Sequence, residues 1–133
     1  MLIYTQKGEI VNFNNYCHID TNLFWSHGRC RVEIRACNDN DWVRLGLISE
    51  SMTDEEENKY NELNAKKNKL SLDYAEHKIE LKETERYDED IQEIVEEVEY
   101  RAMKRANDLM YDLFMHIRDD GWSDMKQLVR HYN

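Results

Sequence analysis

Apolar and polar residues alternate in short runs over the first third of the chain and then recur at helical spacing, and the change of period falls near Ser49. "LIYT", "IVNF", "YCHID", "RCRVEIRAC" and "WVRLGLI" are rich in β-branched and aromatic residues and are separated by the turn-prone clusters "QKGE", "NN", "SHG" and "NDND". The clearest strand covers residues 30 to 36, where Cys30, Val32, Ile34 and Ala36 alternate with Arg31, Glu33 and Arg35. One face of that strand is apolar and the other charged. The pattern predicts a small antiparallel meander of four to five short strands over residues 1 to 50.

The second pattern is helical. "TDEE" at 53 to 56 reads as a capping box, with the Thr53 hydroxyl accepting from the Glu56 amide and the Glu56 side chain reaching back. Tyr60, Leu63, Lys67, Leu70, Tyr74, His77 and Leu81 then repeat at alternating spacings of three and four, a heptad seam that needs a partner helix. The partner is in the chain: Asp88 reads as a second N-cap, followed by Ile91, Val95, Val98, Ala102, Leu109, Leu113 and Ile117, with an end near Gly121. Residues 51 to 133 are therefore expected to hold a long antiparallel helical hairpin, 53 to 86 and 88 to 119. A short helix at 123 to 132, capped by Ser123, is expected to return Met125, Leu128 and Val129 to the core. Trp122 falls at that junction, and Met103, Met110 and Met115 read as core. The expected class is α+β, with sheet and helices packed as one unit.

Charge changes this picture. The chain has 133 residues and a formal net charge of -10, yet residues 54 to 100 hold 17 acidic and 7 basic residues, and the remainder holds 11 of each. The whole imbalance sits in one segment. Such a surface repels phosphate, which argues against direct nucleic-acid binding and suits a basic protein partner. Glu83, Glu85, Asp88, Glu89 and Asp90, at the expected distal turn, are the candidate contact group. The heptad seam offers a second use, self-association, so monomer and homodimer both stay open. No apolar run approaches a membrane span and no leader pattern opens the chain, so a cytoplasmic protein without membrane contact is expected.

The chemistry is confined to cysteine and histidine. Three cysteines in a reducing compartment point to metal ligation or free thiols. Cys37 lies about 23 Å along a straight strand from Cys30, at roughly 3.3 Å per residue, and on the opposite face, so the two cannot share an ion. Cys17, His18, His27 and Cys30 remain as a candidate tetrahedral Cys2His2 set around the Leu23-Phe24-Trp25 tip, a donor mixture that favours a structural zinc. Adjacent Cys17 and His18 point to opposite faces in an ideal strand, and Asp20 is a competing oxygen ligand on the His18 side. The alternative is a buried Cys30 with solvent-facing histidines. No phosphate loop, nucleophile elbow or zincin motif is present, so no enzyme is expected.

The opening "LIYTQKGEIVNFNN" with its following short strands resembles small proteins encoded by phages and mobile elements of Gram-positive bacteria. With its small size, localised acidity and Cys/His cluster, the chain looks like a type II-A anti-CRISPR protein, of a zinc-containing kind. The resemblance implies an inhibitor that binds the RNA-guided Cas nuclease of a streptococcal-type system and blocks guide or target nucleic acid from loading. Such inhibitors share no common motif, so the resemblance assigns no functional residue. A small phage structural or assembly protein, dimerising through the 60 to 81 seam, is the alternative.

Overall fold

The computed structural model describes the backbone of residues 1 to 75 and 81 to 133 and the side chains of 1 to 70 and 86 to 133. The fold is α+β. Among the described residues it has six strands, β1 (Leu2–Tyr4), β2 (Ile10–Asn12), β3 (His18–Ser26), β4 (Arg29–Cys37), β5 (Trp42–Glu50) and β6 (Trp122–Asp124), and three α-helices, α1 (Asp54–Ala75), α2 (Leu81–Asp120) and α3 (Met125–Tyr132). The strands form two sheets and not one meander. One has the order β3-β4-β5, antiparallel throughout, and the other β2-β1-β6, with β6 parallel to β1. A parallel partner drawn from residues 122 to 124 is invisible to local alternation, because its pairing spans nearly the whole chain.

The chain divides into two compact units, one of residues 1 to 50 and 99 to 133 and the other of residues 51 to 98. This partition cuts α2 and differs from a sheet region at 1 to 50 followed by a helical region at 51 to 133. In the first unit, β4 turns Cys30, Val32, Ile34 and Ala36 inward, and Leu45 and Ile48 join them from β5. Ala102, Ala106, Leu109, Leu113 and Ile117 bury the matching face of α2. Polar anchors hold this packing: Trp25 Nε1 donates to Glu99 at 3.0 Å, Arg105 pairs with Glu50, and Arg105 also donates to the carbonyls of Ser49 at 3.0 Å and Tyr132 at 2.8 Å.

Met125, Leu128 and Val129 of α3 are buried as expected. The cap is Asp124, whose carboxylate accepts from the Lys126 amide at 3.0 Å; Ser123 is instead a buried residue of β6. Trp122 lies in β6 with its ring exposed and edge-on to Tyr4 at 5.9 Å. Met103, Met110 and Met115 are half-buried and outside the core, because the helix buries its alanines and leucines there. Gly121 ends α2 with φ +75 and its amide returned to the Ile117 carbonyl, a left-handed cap that only glycine adopts without strain.

In the second unit the capping box forms as the sequence implies: the Glu56 amide donates to Thr53 Oγ1 at 3.1 Å and the Thr53 amide to Glu56 at 2.9 Å. Tyr60, Leu63, Lys67 and Leu70 are the more sheltered positions of α1, with Leu63 buried. The side chains of Tyr74, His77 and Leu81 lie outside the described residues. Lys67 of α1 pairs with Asp88 of α2, an ion pair between the two helices. The expected break at 87 to 88 is incorrect: α2 (Leu81–Asp120) runs through both residues, so Asp88 lies inside a helix and caps nothing. Ile94 and Val98 are the buried residues on the α2 side of this unit. Among the described residues no helix is long and apolar enough to cross a membrane.

Candidate metal centre and acidic surface

The β3–β4 hairpin is closed by a two-residue turn, His27-Gly28, with φ values of +52 and +73. Two consecutive positive φ values give the primed turn whose twist matches a β-hairpin, and glycine relieves one of the two. Ser26 then faces Arg29, and counting outward sets every other pair: Asp20 faces Arg35 and His18 faces Cys37. Leu23, Phe24 and Trp25 are consequently strand residues and form no tip.

This register dismantles the Cys2His2 set read from the sequence. Cys17 and His18 lie at the open end of β3 and His27 and Cys30 at its closed end, separated by a nine-residue strand, roughly 26 Å at about 3.3 Å per residue. No single ion reaches both ends. Cys30 is a core residue on the inner face, its thiol pushed up to about 11 by burial and, secondarily, by Glu99. Cys17 and His27 are exposed. The separation of Cys37 from Cys30 holds, but Cys37 is no isolated thiol.

The structure brings together His18, Asp20 and Cys37. One ligand atom from each, an imidazole nitrogen, a carboxylate oxygen and Sγ, lies within 4.8 Å of the other two, so the group could bind a metal ion. The reason is the register: His18 is directly opposite Cys37, and Asp20 is two residues along the same face. His18 is exposed, Asp20 half-buried and Cys37 buried, so the group opens on the His18 side. Three protein donors leave a tetrahedral ion one position for an outside ligand, unlike the closed four-ligand site expected.

The surroundings of the group are charged. Arg35 donates to both oxygens of Asp20, at 2.9 and 3.2 Å, and its guanidinium stands 5.1 Å from the Trp42 ring centre. That hydrogen bond is the main reason the Asp20 carboxyl is held below its usual range. Burial first, and Asp20 next, push the Cys37 thiol up. The neighbouring Glu33 is 3% exposed, accepts from Arg44 at 2.5 Å and lies 3.9 Å from Arg35. The group offers one carboxylate oxygen, one imidazole nitrogen and one sulfur. A cation must displace the thiol proton and share Asp20 with Arg35, which is possible because each carboxylate oxygen has two lone pairs.

A further concavity of the first unit, about 400 Å³, is lined by Asp112, His116, Asp120, Ser123, Asp124 and His131 among others. His116 Nδ1 stands 3.3 Å from Ser123 Oγ, but the carboxylates and imidazoles there do not converge on a point as the His18 group does.

In the second unit a group of acidic side chains stands exposed along α2, with Asp88 among them paired to Lys67 of α1. Asp88, Glu89, Asp90, Glu93, Glu96 and Glu97 are all exposed, and Asp88, Glu89, Gln92, Glu93 and Glu96 border a shallow groove of about 550 Å³. Of the five expected contact residues, Asp88, Glu89 and Asp90 lie here, within the helix and not in a turn; the side chains of Glu83 and Glu85 lie outside the described residues. Glu93 and Glu96 were not among the expected contact residues, although Glu89, Glu93 and Glu96 follow one another at spacings of four and three residues and so share one face. Comparison of the chain with protein-family models, with curated proteins and with solved structures gave no match.

Proposed function

We propose that the protein is a non-enzymatic inhibitor that acts by docking its acidic helical face on a basic surface of a nucleic-acid-processing protein. The observation that carries this reading is the exposed row Asp88, Glu89, Glu93 and Glu96 along one groove of α2. Residues 51 to 98 hold 16 acidic and 7 basic side chains, so the row sits in a field of one sign. A carboxylate row of this kind competes with a phosphate backbone for lysine and arginine. The resemblance of the chain to type II-A anti-CRISPR proteins supplies the partner: the RNA-guided Cas nuclease of a type II system, bound in the bacterial cytoplasm before nucleic acid loads.

Zinc at His18, Asp20 and Cys37 belongs to the same proposal, as a clamp across the open end of the β3–β4 hairpin. The mixed nitrogen, oxygen and sulfur donors suit zinc better than magnesium or calcium. A metal assay on purified protein tests it: the Cys37→Ser variant is expected to lose the ion and Cys30→Ser to keep it. Retention in Cys37→Ser would refute the assignment.

Docking is tested by titrating the guide-free nuclease with the protein at rising salt and with Glu89, Glu93 and Glu96 reversed to lysine. Binding is expected to weaken at least tenfold in either case, since exposed charges are screened beyond about 8 Å at physiological ionic strength. Binding that survives both would remove the electrostatic basis. Assembly through the 60 to 81 seam has less support, because Leu63 is already buried in the chain's own hairpin.

A further inference from the structure

The helix α2 carries a second apolar stripe, on the side turned away from the core. Tyr100, Met103, Asn107, Met110 and Phe114 are spaced three, four, three and four residues apart, with Tyr111 beside them. Tyr100 is 64% exposed, Tyr111 66% and Phe114 46%, and both methionines are half-buried. Large apolar side chains in a continuous row at heptad spacing are the surface that another helix covers. This row lies wholly within the first unit.

We infer that the stripe is a self-association surface on which α2 of a second copy packs antiparallel, with the two-fold axis at Asn107. Three observations select a second copy. The row is nearly symmetric about Asn107, with an aromatic ring seven residues to each side, so an antiparallel copy sets Tyr100 against Phe114 and Met103 against Tyr111. Asn107 then meets its own symmetry mate, where two amides can donate and accept reciprocally; a polar residue at such a position fixes register. The flanking charges agree: exposed Lys104 comes beside Asp108 of the other copy, twice over, whereas a parallel pair stacks like on like and aligns the helix dipoles unfavourably.

The area sets the strength. If each ring offers about 200 Å², the three rings expose on the order of 350 Å² per copy, so a pair buries about 700 Å² from rings alone. With the methionines and the Lys104 stem the total approaches roughly 1,000 Å², the lower end of specific interfaces. An interface of that size belongs with weak, transient associations.

Sedimentation equilibrium on the full chain from about 5 to 500 µM is expected to show a reversible dimer. Phe114→Glu should abolish it while leaving the thermal transition in place, since Phe114 lies outside the core. Lys104→Asp should weaken it roughly fivefold, and the double exchange Lys104→Asp with Asp108→Lys should restore it. In a Cys17→Ser background, Asn107→Cys should crosslink to itself on mild oxidation. Tyr100→Cys and Phe114→Cys should crosslink to each other when mixed, but neither to itself. A monomer at the highest concentration, a dimer untouched by Phe114→Glu, or self-crosslinking at all three positions would overturn the inference.

Discussion

The two units of the chain are held together by different means. Residues 1 to 50 and 99 to 133 close around a dense core in which Ile3, Val32, Ile34, Leu45, Ile48, Leu109, Leu113 and Met125 are wholly enclosed. Among the described residues 51 to 98, Leu63, Ile94 and Val98 are the buried ones, and most other positions are charged or polar. The first unit is stabilised by apolar burial between segments distant in sequence. The second rests on helix-local terms, namely a capping box, an acidic first turn and a short apolar seam. The surplus charge sits where least apolar surface is buried, so it costs the core nothing.

The contrast is sharpest for leucines. Leu109→Ala is expected to cost about 3 kcal/mol and to unfold the first unit cooperatively in urea. Leu63→Ala is expected to cost about 2 kcal/mol in the second unit alone. Native-state hydrogen exchange checks this: amides of β4 should keep full protection in Leu63→Ala and lose it in Leu109→Ala. Equal loss in both variants would show one cooperative body.

Gly46→Ala probes the seat of α3. A Cβ there would stand 2.9 Å from Met125 Cε and 3.0 Å from Val129 Cγ2, so the variant should lose about 1 to 2 kcal/mol and leave the second unit unchanged. Thr53→Ala removes the capping hydroxyl and should cost about 1 kcal/mol, read as lost helical ellipticity with the near-ultraviolet signal of the tryptophans retained. The smallest effect concerns pH. Arg35 holds the Asp20 carboxyl below its unfolded value of 3.8, so its stabilisation is present above that pH and is lost as pH falls through the folded value. The stability difference between wild type and Asp20→Asn should therefore shrink in acid, and a constant difference would remove Arg35 as the cause.

Much of the fold was legible along the chain. The capping box at Thr53, the sheltered Tyr60-Leu63-Lys67-Leu70 row and the inward face of β4 all depend on neighbours within a few residues, and all three formed. The metal group was half legible. Asp20 stood out as a ligand on the His18 side, and a two-residue turn at His27-Gly28, once recognised, places Cys37 opposite His18. Treating Leu23 to Trp25 as a tip hid that register and joined cysteines and histidines that the strand keeps apart.

The sequence by itself determined where the period changes, which unit carries the charge and how α1 begins, because these follow from local sterics, capping and composition. Only the tertiary structure decided which Cys and His residues meet, that Asp88 lies inside a helix, and that residues 122 to 124 complete a sheet begun at residue 2. Those outcomes depend on register and on pairing across more than a hundred residues. A shift of one position in a strand exchanges its two faces, and no local pattern in this chain fixes that shift except the two residues of the turn.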